Sequence, residues 1–174
     1  VATGVYTGFL VSVIDAVPFW SSGIIPVIFF VSALSTGLSI TVLLSHLLGR
    51  EEFGSRIDLI HILLISTELV AVAVFVWMMT SGVNGSIAQK SAALITSGKY
   101  ALSFWGVFIG LGLLFPLIVY SVQFFRGKAK AAVQSKGHFA FLTIITDSSV
   151  LVGGFALRAL IVFAALPVWD GIMI

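Results

Sequence analysis

No cysteine occurs in the 174 residues, so disulfides, thiolate zinc sites and cysteine-ligated iron–sulfur clusters are excluded from this chain. Any such cluster belongs to a partner. Charge is nearly as scarce: 9% of residues are Asp, Glu, Lys or Arg, and a net charge of +2 leaves no basic patch able to grip nucleic acid. What fills the sequence is apolar. With 59% hydrophobic residues and a mean hydropathy of +1.17, it reads as an integral membrane protein rather than a soluble core. The first residue is Val1 rather than Met, and VATGVYTGFLVSVI is apolar at once, with no charged region before it and no signal-peptide pattern. This reads as the inside of a helix whose start is missing, so further spans are expected upstream.

Five hydrophobic segments can be drawn, at about Val1–Ile14, Ile24–Leu48, Ile57–Thr80, Lys99–Phe125 and Thr143–Leu166. The last four are each long enough to span a bilayer with some tilt. The predicted fold class is therefore all-α, a polytopic transmembrane helical bundle of about five spans, with Val1–Ile174 as a single domain. Short polar stretches separate the segments, together with a longer linker from Ser81 to Gly98. Arg50 and Arg56 fall in the second loop and Arg126, Lys128, Lys130 and Lys136 in the fourth; alternating spans place both loops on one side, which should be cytoplasmic. Trp20, Trp77, Trp105 and Trp169 then fall near the outer side, as interfacial anchors or as part of a docking surface for an external partner.

The third segment, IDLIHILLISTELVAVAVFVWMMT, carries Asp58, His61 and Glu68. Ionisable groups inside a span are costly enough to need a reason. At about 100° per residue His61 and Glu68 share a face with Asp58, and Glu68 lies about 15 Å farther along the axis. One face is thus protonatable from membrane edge to membrane middle. Asp147 sits near the inner end of the last segment, on nearly the same face as Arg158, which lies deep in that span. Arg158 either pairs with Glu68 or snorkels outward. The four groups Asp58, His61, Glu68 and Asp147 are a candidate proton path; equally, they and Arg158 are a candidate ion-pair network fixing the bundle.

Ser32, Ser35, Thr36 and Ser39 form a helical stripe that serves either helix packing or a hydrated path. Gly106 and Gly110 form a G-x-x-x-G pair that predicts close packing, and Pro116 predicts a kink. His46 ends a span, His138 lies in a loop, and no second histidine shares a helix at a bis-haem spacing. No haem or metal is expected in this chain.

The first two segments read TGVYTGFLVSVIDAVPFWSSGIIPVIFFVSALSTG. With Thr3, Gly4, Tyr6, Thr7 and Gly8, then Pro18, Phe19 and Trp20, then Pro26, Phe29, Ser32, Ala33 and Gly37, this stretch resembles the NrfD/PsrC family. Arg56 and Asp58 with Glu68, and Gly153, Gly154 and Arg158 in GGFALRALIVFAA, resemble later spans of that family in the same order. The resemblance implies the C-terminal part of a subunit of eight or more spans. It implies a quinone, menaquinone or ubiquinone, bound near the outer face with Tyr6 and Trp20 at the pocket. It also implies an iron–sulfur electron-transfer partner and a further molybdopterin-type catalytic subunit, in the cytoplasmic (inner) membrane of a prokaryote. The protein would not be an enzyme alone. Outside that class, a proton-coupled transporter or a purely structural membrane anchor remains as the alternative.

Overall fold

In the computed structural model residues 2–14, 16–48, 55–129 and 136–166 are described, and their regular structure is entirely helical. In sequence order these are α1 (Ala2–Ser12), α2 (Ile24–Leu47), α3 (Ser55–Thr80), α4 (Gly85–Thr96), a π-helical segment (Ser103–Leu114) running directly into α5 (Phe115–Ala129), and α6 (Lys136–Phe163). Among the described residues four stretches are long and apolar enough to cross a membrane: Ile24–Ser45, Ile57–Thr80, Ser103–Phe125 and Phe141–Phe163. The described α1 has 11 residues, about 16 Å of helix, and lies along α2. The five predicted segments thus appear as four full-length spans and one short helix.

The four spans close into a ring: α2 packs on α3, α3 on α5, the π segment and α5 on α6, and α6 on α2. α1 sits outside this ring against α2. Gly4 and Gly8 allow that contact, since a Cβ on Gly4 would lie 2.7 Å from Ala33 Cβ and one on Gly8 would lie 3.0 Å from Phe29 Cβ. Outward-facing positions are large and apolar, among them Phe30, Leu63, Val70, Phe155 and Phe163, which suits a hydrocarbon surround. Among the described residues ten polar or charged ones are buried, most of them inside the ring. Such a distribution needs lipid outside, because water would favour the reverse.

Three features differ from the sequence expectation. The Ser81–Gly98 linker is not irregular throughout but contains α4, which buries Ala88, Ser91, Ala92 and Ile95 against the bundle end. Its entry turn needs left-handed backbone at Gly82 (φ +82°) and Gly85 (φ +87°), which glycine adopts without strain. The irregularity expected at Pro116 lies ahead of it, as 12 residues of π-helix in which the Phe115 N–H reaches back to Gly110 O. And the close helix approach belongs to Gly112, not to Gly106 and Gly110. A Cβ on Gly112 would lie 2.5 Å from Gly153 Cα on α6, whereas those on Gly106 and Gly110 would meet only their own helix.

At the outer end the loops are stitched together. The Trp20 indole donates to Ile161 O at 2.8 Å, Asn84 Nδ2 to Ser21 O at 3.2 Å and to Pro18 O at 3.4 Å, and the Leu166 N–H to Ser91 Oγ at 3.2 Å. Trp77 and Trp105 are exposed near this end and border a wholly apolar cleft of about 320 Å³ between α3 and the π segment, lined also by Leu69, Val72, Phe104 and Ile109. Trp169 and the side chains of the inner-loop arginines and lysines, His46 and His138 lie outside the described residues.

Candidate functional site

Inside the ring the polar residues gather at two levels. The inner level lies toward the span ends that lead into the loops rich in arginine and lysine. There the Tyr120 hydroxyl of α5 donates to Asp147 Oδ1 of α6 at 2.5 Å. The His61 ring of α3 packs against the Tyr120 ring, with centroids 4.4 Å apart and planes at 31°. Ser39 of α2 sits beside the same hydroxyl, and Asp58, half-buried toward the inner end of α3, is within electrostatic range of it. Each helix of the ring therefore supplies a side chain to one spot.

The second level is at mid-membrane. Glu68 of α3 is 3% exposed and faces Ser32 of α2 and Arg158 of α6. Glu68 and Arg158 attract one another electrostatically, while Arg158 Nη1 donates to Gly154 O at 2.7 Å and the guanidinium lies 5.7 Å from the Phe29 ring centroid. Arg158 thus turns inward toward Glu68 and its own helix. Gly154 makes this possible: a Cβ there would collide with the Thr36 methyl and lie 3.2 Å from Arg158 Nη1, holding α6 away from α2.

Between and around the two levels several polar atoms find no hydrogen-bond partner in the protein. They include the Ser35 hydroxyl and both ring nitrogens of His61. Ser32 and Ser39 interact with Glu68 and Tyr120 respectively. A buried group left unsatisfied costs about 1–3 kcal/mol, so these three atoms would offset about 3–9 kcal/mol, a large share of a typical domain's whole stability. Groups of this kind require a polar ligand or water.

The structure therefore brings His61 and Asp147 together through Tyr120, sets Asp58 near them, and joins Glu68 to Arg158. Tyr120 is absent from the candidates that sequence reasoning singles out, although a phenol in the inner third of an otherwise apolar span is a usable signal. Gln123, one turn nearer the inner end, has a buried amide nitrogen without a partner and is absent from them too. Chemically, a phenol, an imidazole and carboxyl groups at these positions can each give or accept a proton. Tyr6 and Trp20 face different surroundings: Tyr6 is 64% exposed on α1, while the Trp20 N–H is held by Ile161 O. Tyr6 thus offers an uncommitted hydroxyl, and Trp20 offers a ring face without a free donor.

A ring of four spans, apolar outside and polar within, defines a multi-pass integral membrane protein. The family described as polysulphide reductase, NrfD, matches residues 1–168, and the chain belongs to it. The C subunit of polysulfide reductase from Wolinella succinogenes is 31% identical over 170 residues, covering 94% of this chain and 50% of the relative. The NrfD homolog of Haemophilus influenzae is 30% identical over 166 residues, covering 92% and 48%, and NrfD of Escherichia coli 28% over 123 residues, covering 68% and 38%. The protein spans about half the length, or less, of these curated relatives. No solved structure matches it with significance.

Proposed function

We propose that this chain belongs to the membrane subunit of a quinone-linked oxidoreductase complex in a prokaryotic cytoplasmic membrane. That subunit exchanges electrons between the quinone pool and an iron–sulfur partner docked at the outer face, which in turn serves a molybdopterin-type catalytic subunit. Family membership supports the class. The observation that carries the reading further is the run of proton-exchanging groups from half-buried Asp58 through buried His61, Tyr120 and Asp147 to Glu68. When bound, a quinone supplies the two-electron, two-proton chemistry; the protein supplies access for protons and part of the surroundings. Tyr6 is suited to donate from α1 to a quinone carbonyl and Trp20 to flank it. Asp58, His61, Asp147 and Glu68 admit protons from the inner side, and Arg158 holds the Glu68 level in place.

Quinone binding and turnover by the intact complex test this, comparing the native protein with Tyr6→Phe and Glu68→Gln. Lower affinity in the first and slower turnover in the second, with assembly intact, are the expected results. The anchor alternative draws on the same contacts, since Tyr120 with Asp147 and Glu68 with Arg158 also tie helices together. Under that reading Glu68→Gln would damage assembly while leaving quinone affinity and turnover unchanged in the complex that survives.

A further inference from the structure

Ser32, Ser35 and Ser39 lie on one stripe of α2, at offsets of three and seven residues, and all three are at most 1% exposed. Hydroxyls in a helix commonly bond back to the carbonyl one turn earlier. In this bundle Thr36 does so to Ser32 O at 2.8 Å, Thr146 to Leu142 O at 2.7 Å, and Ser148 to Ile144 O at 2.7 Å. None of the three serines does so: Ser32 and Ser39 interact with Glu68 and Tyr120, and the Ser35 hydroxyl is unpartnered. A second observation points to the same interior. His61 is fully buried and both of its ring nitrogens are unpartnered, although an imidazole always carries at least one N–H donor.

We propose that Ser32, Ser35, Ser39 and His61 hold a file of internal water molecules connecting the Tyr120–Asp147 level to Glu68. Water is the ligand these atoms fit, being small and able both to donate to and to accept from hydroxyl and imidazole. The geometry sets the length of the file. Ser39 to Ser32, and His61 to Glu68, are each seven-residue helical steps of about 10.5 Å. Oxygen atoms linked by hydrogen bonds stand about 2.8 Å apart, so three or so waters bridge the gap. Ser35 is the halfway hydroxyl. Ile65, on the same face of α3 between His61 and Glu68, forms an apolar wall of the file and is itself fully buried. Water occupancy stands by itself; only the role of the file as a proton conductor rests on the function proposed above. There it would let a proton taken up at the Asp58 end reach the Glu68 carboxylate by successive transfers along the waters, each water receiving one proton and passing one on.

Radiolytic hydroxyl-radical footprinting in ¹⁸O-labelled water, on the intact protein in its native assembly, tests occupancy directly. Relative to each side chain's intrinsic reactivity, His61, Tyr120 and Ile65 should take up label several-fold above Phe19, Phe108 and Met79, which are equally buried but away from the proposed file. Labelling no higher than in those three overturns the proposal, and this comparison needs no variant to fold. In Ser35→Val the label on Ile65 should fall several-fold; an unchanged label there removes the α2 serines from the file. Thr67→Val, on the exposed side of α3 with its hydroxyl bonded to Leu63 O, should leave labelling unchanged. Quinone-driven proton uptake in liposomes then separates the two ideas. If the file conducts, Ser35→Val slows uptake by about tenfold, the effect of weakening one hydrogen-bonded step. Internal labelling together with unaltered uptake upholds the water file and removes proton conduction through it.

Discussion

At the outer end of the bundle polar side chains hold the backbone. The indole of Trp20 bonds Ile161 O, that of Trp105 bonds Thr96 O, Asn84 bonds Pro18 O and Ser21 O, and Ser91 accepts from the Leu166 N–H. In the inner half polar side chains meet one another: Tyr120 with Asp147, His61 against Tyr120, Glu68 facing Ser32 and Arg158. The difference follows from what each region must satisfy. Helix ends and loops leave backbone groups that need partners near the hydrocarbon, so polar groups there complete the fold. Mid-helix backbone is already paired. A polar residue buried there serves no capping need: it bonds back to a carbonyl of its own helix, as Thr146 does, or answers to another side group, to water or to a ligand.

The largest expected effect breaks both regions at once. Gly112→Leu places a side group where Gly153 backbone lies, so α6 must move off the π segment. A loss of about 3 kcal/mol is expected, read as a lower melting temperature in detergent and poor recovery of the assembled protein. If the variant assembles normally, the packing described for α6 is wrong. Next, Tyr120→Phe keeps the ring against His61 and removes the bond to a buried carboxyl group. It should cost about 1.5–3 kcal/mol by thermal melting and slow quinone-driven proton uptake. A stability loss with normal uptake would turn the inner cluster into a strut like those at the outer end.

Smaller effects sharpen the contrast. Trp20→Phe removes the bond to Ile161 O and part of the ring's packing against the core, and should cost about 1–2 kcal/mol of stability. Quinone affinity separates its two possible roles: unchanged affinity leaves Trp20 an outer strut, and weaker affinity makes it part of the quinone surroundings. Thr67→Val, on the exposed side of α3, should change stability by less than about 0.5 kcal/mol and leave uptake alone. A larger change would mean that this face is covered rather than lipid-exposed.

Much of the fold is legible along the sequence, because runs of about 20 apolar residues report a membrane span without any knowledge of neighbours. The face shared by Asp58, His61 and Glu68 is legible for a similar reason, since helical periodicity is a local property. Less legible are α4, whose buried face is only four small or medium residues, one of them a serine, and the π segment, whose hydrogen-bond pattern depends on how the helix packs. The G-x-x-x-G spacing at Gly106 and Gly110 is present but uninformative: spacing identifies a small surface on a helix, not which side faces a partner. Tyr120 escapes notice because a phenol amid leucine, valine and phenylalanine becomes part of a site only when α6 brings Asp147 to its hydroxyl.

The sequence by itself determined that the polypeptide crosses a membrane, where its spans fall, and which protonatable groups are carried into them. Each of these depends on the composition and period of one segment at a time. Only the tertiary structure decided that α2, α3, α5 and α6 close a ring around those groups, that Arg158 turns toward Glu68, and that Ser35 and His61 sit in the interior without a hydrogen-bond partner in the protein. Those outcomes rest on which helix faces meet, and in a bundle hydrophobic nearly all round the choice is made by glycine contacts and buried hydrogen bonds between distant segments.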